Sequence, residues 1–182
     1  MANMNQPEYG EEAWFERKFV NEGFEKAGAY YSHSVDGYQQ FRYRFLLQIL
    51  EKSSDLIIPS RVLDVGCGMG DFLKRIDDKF EASSLMGVDF VGPVVEAARL
   101  RYPQIEFIQD RLPHLEKIDD QFNLIIASEI LYYLDKSERP QAIERLNDLL
   151  VRDGLILISS TLAPHTFSKR TILELVEDCF LV

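Results

Sequence analysis

The sequence predicts an α/β fold in which a mostly parallel sheet is wrapped by helices on both faces. Three observations predict it. From Arg61 onward, short apolar runs alternate with amphipathic stretches of helical period. The first run ends in a glycine-rich turn that opens directly into a helix, the start of a βαβ unit. Three successive runs also close on a carboxylate, Asp64, Asp89 and Asp110. Those acids meet at the carboxyl edge of the sheet, where such folds bind ligands.

Taken in order, residues 1–10 are polar, and 11–24 reads as an amphipathic helix with Trp14, Phe15, Phe19 and Val20 on its apolar side. Tyr30 to Ser34 reads as a loop. Asp36 then caps a helix running to Lys52, with Phe41, Phe45, Leu46, Ile49 and Leu50 as its stripe. A linker containing Pro59 leads to the first strand, Arg61 to Val65. The turn Gly66-Cys67-Gly68-Met69-Gly70 follows, and then a helix with Phe72, Leu73, Ile76 and Phe80 at helical spacing. Ser84 to Asp89 is the second strand, and Pro93 suits the first turn of a helix from Gly92 to Arg101. Ile105 to Asp110 makes the third strand, followed by the loop Arg111 to His114; Phe122 to Ser128 makes the fourth. A helix is expected from Lys136 to Leu150, a turn at Gly154, a fifth strand from Leu155 to Ser160, and a helix from Ser168 to Cys179. Only 21 residues follow Thr161, and they close on Phe180-Leu181-Val182. The expectation is a missing C-terminal hairpin, which would leave strand five as an edge open to self-association.

A chain of 182 residues fits one domain, divided here into a helical cap over 1–58 and a core over 59–182. Hydrophobic content of 46% and charged content of 27% suit a globular protein. The net charge of −10 disfavours nucleic acid as a partner, because phosphates require a basic face. The two cysteines, Cys67 and Cys179, have no metal-like spacing, and Cys67 reads as a small filler in its turn. His33, His114 and His165 are isolated, so no metal is expected. With no signal peptide or transmembrane run, a reducing cytoplasm fits best.

The spacing of the turn separates two cofactor classes. A dinucleotide fingerprint reads G-x-G-x-x-G and rests a pyrophosphate on a helix N-terminus. Here the run is Gly66-x-Gly68-x-Gly70, followed by the acid Asp71. Acids repel a phosphate but suit a ligand carrying an ammonium and a sulfonium. Asp89 lies 19 residues past Gly70, close to the spacing of an acid that binds ribose hydroxyls. From Arg61 to Thr161 the chain resembles the class I S-adenosylmethionine-dependent methyltransferases, and Ser128 to Leu134 is similar, weakly, to the nodulation-type N-methyltransferases.

That resemblance implies a Rossmann-like sheet of strand order 3-2-1-4-5 and S-adenosyl-L-methionine as cofactor. It implies that Gly66, Cys67, Gly68 and Gly70 line the methionyl end, that Asp64 faces its ammonium, and that Asp89 accepts from the ribose. Asp110 would accept from the adenine amine beside Arg111, with Phe90 and Leu112 on either face of the ring. Ser128, Glu129 and Ile130 would border the methyl group. Glu129 and Tyr132 are the candidate catalytic side chains, and Tyr31, Tyr38 and Arg42 the candidate substrate or lid residues. The reaction implied is methyl transfer to a nitrogen or oxygen of a small molecule. A non-catalytic binding subunit and a nucleotide-cofactor oxidoreductase are the alternatives.

Overall fold

The computed structural model describes residues 11, 13, 14, 16, 17 and 37–161. In chain order they form α1 (Gly37–Lys52), β1 (Arg61–Val65), α2 (Asp71–Phe80), β2 (Ser84–Asp89), α3 (Gly92–Arg101), β3 (Glu106–Gln109), β4 (Phe122–Ser128), a 3-10 turn (Leu131–Tyr133), α4 (Arg139–Asp148) and β5 (Leu150–Ser159). The strands make one sheet in the order β3-β2-β1-β4-β5, with every neighbouring pair parallel. Strands β1, β2 and β4 keep the bounds expected from their apolar runs.

The alternation along β1 divides the core. Leu63 and Val65 face one side with Met86, Val88 and Ile125, under Ala142, Ile143 and Leu146 of α4 and the loop residues Leu112, Leu115 and Ile118. Val62 faces the other with Leu124 and Ile126, under Leu46 and Leu50 of α1, Phe72, Leu73 and Ile76 of α2, and Ala98 of α3. Asp64 shares the side of Val62, because side chains alternate across a strand. An acid is thereby set into the apolar face that α1 and α2 cover.

Strand β3 is one residue shorter than expected at each end, which leaves Asp110 just past it, and two further elements depart by more. Helix α4 starts at Arg139 and not Lys136, because the Glu138 carboxylate accepts from the Asp135 N–H at 3.0 Å and holds a turn there. Pro140 then occupies the first helical turn, where its missing N–H costs nothing. Strand β5 starts at Leu150 and not Leu155. Leu150 pairs with Phe122, after which the register slips before Leu124 pairs with Leu155. Asp153, at φ 62°, takes up the slack. Gly154 is therefore inside the strand, where a Cβ would lie 2.8 Å from the Leu150 side chain.

The edge at β3 is closed by side chains. Arg99 of α3 donates through Nε (3.0 Å) and Nη2 (2.7 Å) to the Phe107 carbonyl, and Lys117 Nζ donates to the Gln109 carbonyl at 2.6 Å. At the other side, β5 pairs with β4. The expected loop at 30–34, with Tyr31 and His33, lies outside the described residues. So do the expected helix from Ser168 to Cys179 and the terminal apolar run. Tyr38 falls in the first turn of α1.

Candidate functional site

The glycine turn is built by three left-handed residues, Gly66 (φ 75°), Gly68 (φ 54°) and Gly70 (φ 80°). Their surroundings differ. A Cβ on Gly66 would fall 2.1 Å from Ile130 Cγ2, and one on Gly70 would fall 2.5 Å from Phe107 Cζ. Those two glycines make room for neighbouring side chains. At Gly68 a Cβ would meet nothing within 4 Å, so this is the position where the backbone is open to a ligand. Cys67 is 6% exposed, and burial pushes its thiol pKa well above 9.0. That is a filler and not a nucleophile.

The Asp89 carboxylate ties the turn to β2. One oxygen accepts from the Gly68 N–H at 3.0 Å and the other from the Val91 N–H at 3.0 Å. Burial raises its pKa, while the N–H groups of Val91, Gly68 and Phe90 pull it down. Each oxygen keeps a lone pair for a ligand hydroxyl. Asp64 is 4% exposed, and burial raises its pKa from 3.8 to about 7; the Arg42 cation lowers it and the Asp89 charge raises it. The Asp110 N–H donates to the Asp89 carbonyl at 3.2 Å, which brings the third acid beside the second. The Asp110 carboxylate closes its own loop, accepting from the N–H groups of Arg111 (2.8 Å) and Lys117 (2.7 Å). Leu112, expected at the adenine ring, is 6% exposed and packs in the core with Leu115 and Ile118. Phe90 packs with Met69, Trp14, Val91 and Val94.

Helix α1 lies against α2 and beside Asp64. Tyr43 stacks on Phe72 at 5.1 Å, and Arg75 Nη2 donates to Gln40 Oε1 at 2.8 Å. Burial raises the Tyr43 pKa to about 12, keeping the phenol neutral beside Arg42. On the same face, Gln39 Oε1 and Arg42 Nε are buried without a partner among the described residues. A buried donor and a buried acceptor left unpaired are each costly.

At the end of β4, Ser128 Oγ and Ser159 Oγ are 2.7 Å apart, and Glu129 N donates to the Ser159 carbonyl at 2.9 Å. Glu129 has φ 61°, and its carboxylate accepts from the Thr161 N–H and hydroxyl, both at 2.8 Å. Tyr132 sits in the 3-10 turn, its ring 4.5 Å from that of Tyr133. The structure thus groups Gly66, Gly68, Asp89 and Asp110 at one edge, with Ile130 against Gly66 and Glu129 drawn toward Thr161. Sequence reasoning missed Gln39, the Val91 N–H and Thr161. Gln39 had a signal, since i and i+3 share a helix face with Arg42.

Comparison with known proteins supplies the family. Residues 62–154 match the family model described as "Methyltransferase domain". The chain is 26% identical over 162 residues to malonyl-[acyl-carrier protein] O-methyltransferase of Halalkalibacterium halodurans, covering 85% of this chain and 58% of the relative. It is 29% identical over 129 residues to nodulation protein S of Bradyrhizobium diazoefficiens, covering 69% of this chain and 59% of the relative. The chain therefore spans less than two thirds of the length of these relatives. The N-methyltransferase NodS from Bradyrhizobium japonicum WM9, solved with S-adenosyl-L-homocysteine, has the same fold at TM-score 0.61 and 21% identity, covering 70% of this chain and 64% of its own. A matched family model over half the chain, on a 3-2-1-4-5 sheet with its glycine turn and three edge acids, leaves one placement: this chain belongs to the class I S-adenosylmethionine-dependent methyltransferases.

Proposed function

We infer that this chain binds S-adenosyl-L-methionine along the carboxyl ends of β1, β2 and β3 and transfers its methyl group to a nitrogen or oxygen of a small-molecule acceptor. The observation that carries the reading is the pairing of an open Gly68 with an Asp89 already held in place by two N–H groups. Fit to the cofactor's other end is supported by the Arg42 cation acting on Asp64, and by the orphaned Arg42 Nε and Gln39 Oε1 on the same helix. An α-amino-acid group carries both charges these residues answer, its carboxylate for Arg42 and its ammonium for Asp64 and Gln39.

When bound, the cofactor supplies an electrophilic methyl group on a sulfonium, so no protein nucleophile is required. The residues here orient and exclude water. Asp89 accepts from ribose hydroxyls, and Asp110 accepts from the adenine amine. Met69 and Phe90 offer apolar surface near the ring, in place of the core-packed Leu112. Proximity and alignment of this kind lower a barrier by about 7–11 kcal/mol. Glu129 and Tyr132 border the acceptor, with Glu129 held by Thr161 and retaining lone pairs for an acceptor proton. The cap over 1–58, through α1, closes the amino-acid end.

Titration with S-adenosylhomocysteine, methylthioadenosine and NAD tests the binding half. Methylthioadenosine lacks the amino-acid end, so Arg42→Gln weakens S-adenosylhomocysteine only, whereas Asp89→Ala weakens both. Preference for NAD would overturn the reading in favour of an oxidoreductase. Turnover on a panel of amines and hydroxylated acceptors tests the transfer half, and binding without turnover would mark a non-catalytic subunit.

A further inference from the structure

The loop after β3 is held from two sides, and only one of them faces the candidate site. On the site side, the Asp110 carboxylate knots the loop by accepting from Arg111 N–H (2.8 Å) and Lys117 N–H (2.7 Å). On the far side, Arg145 of α4 reaches three carbonyls of the same loop: His114 through Nε at 2.8 Å, and Leu115 (3.1 Å) and Ile118 (2.6 Å) through Nη2. Leu115 and Ile118 are 0% and 1% exposed, so their carbonyls have little access to water as a substitute. Leu115 also has φ 48°, a left-handed conformation that a bulky side chain holds only when its surroundings impose it. A guanidinium is suited to this task because its planar fork presents several donors in fixed directions.

We propose that Arg145 is a positioning residue for the nucleobase: by clamping the loop carbonyls at 114, 115 and 118, it fixes the direction in which Asp110 presents its remaining lone pairs. The proposal rests on the reading of Asp110 as the acceptor for the adenine amine. A carboxylate has about four lone-pair sites, and the knot uses two of them. The two left over point usefully only while the loop keeps its shape. Asp110 itself is a poor probe of this, since removing it deletes the acceptor and the knot together. Arg145 lies across the loop and alters the aim alone.

The test is calorimetric titration of the full chain with S-adenosylhomocysteine and with S-inosylhomocysteine, which has a 6-oxo group in place of the 6-amino group. The wild type is expected to prefer the amino compound by about tenfold, the size of one hydrogen bond. Arg145→Met is expected to lose most of that preference, and Arg145→Lys to keep an intermediate one, because a lysine can hold one carbonyl but not the fork. Amide hydrogen exchange at Leu115, Lys117 and Ile118 is expected to quicken in the same order. A wild-type preference retained in full by Arg145→Met overturns the proposal, because a merely structural arginine would shift both affinities together. Should Arg145→Met fail to fold, the Lys variant decides: an unchanged ratio overturns, a reduced ratio supports. A wild type with no preference removes the adenine reading of Asp110 and the proposal with it.

Discussion

Replacing Asp89 with alanine removes two things that can be weighed separately. In the free protein its oxygens hold the Gly68 and Val91 N–H groups, each at 3.0 Å. Gly68 is half-exposed and its N–H can turn to water, but Val91 is 2% exposed and its N–H is stranded. An unsatisfied buried donor costs about 1–3 kcal/mol. Against this, the variant no longer buries a carboxyl whose pKa is raised by that burial. The net loss of stability is therefore on the order of 1–2 kcal/mol, or about 2–8 °C in Tm for a chain of this size. Binding loses more, because a charged acceptor for two hydroxyls disappears. That costs about 1.5–3 kcal/mol, a loss of about tenfold to a hundredfold in affinity for S-adenosylhomocysteine. Differential scanning calorimetry and titration calorimetry read the two effects, with the exposed Asp119→Ala as control. Unchanged affinity in Asp89→Ala, whatever its Tm, would refute the placement of the ribose.

Asp64 gives a pH prediction whose sign is set by burial. Its folded pKa of about 7 exceeds the unfolded value of 3.8, so the native state binds the extra proton between them. Stability then falls as pH rises from about 4 to about 7, and Asp64→Asn flattens that slope in denaturant titrations; an unchanged slope would refute the burial argument. Gly66→Ala is expected to destabilise by more than the ~1–2 kcal/mol of a left-handed alanine, because its Cβ falls on Ile130. Adding Ile130→Ala should recover the excess, and strict additivity in that double-mutant cycle would show the contact to be unimportant. Deleting the residues before Pro59 should abolish tight cofactor binding and, because Leu46 and Leu50 leave the core, should also lower the Tm. Equal affinity in the truncated chain would mean that α1 does not close the site.

The parts of this fold legible in the sequence were those where one residue type has one physical use. Apolar runs stopped by an acid or a glycine located β1, β2 and β4 to the residue, and the glycine spacing located the turn. Helix α4 was misjudged because Leu149 and Leu150 continue the helical period, although Pro140 announced a later start. Strand β5 was misjudged because Gly154 has the look of a turn residue, whereas the left-handed position belongs to Asp153. Asn123 is a subtler case. Its amide oxygen accepts from the Ser60 and Arg61 N–H groups while its amide nitrogen donates to the Ile58 carbonyl at 2.8 Å. A carboxylate could serve the first two bonds and not the third. None of the tertiary hydrogen bonds that finish the site, at Asp89, Asp110 and Glu129, has a period or a spacing, so none could be read in advance.

The two cations on β3 bear on how this protein meets other chains. Carbonyls at i and i+2 of a strand point the same way, and those of Phe107 and Gln109 are occupied by Arg99 and Lys117. A visiting strand would have to evict both charges before it found an acceptor. The sheet is in effect stoppered at that end. Neutralising Lys117, by acetylation or by Lys117→Gln, would loosen the stopper, while the Lys117 N–H would keep its hold on the Asp110 carboxylate. Aggregation at β3 should therefore rise without a matching loss of nucleobase affinity, because the hydrogen bond released belongs to the side chain and not to the backbone.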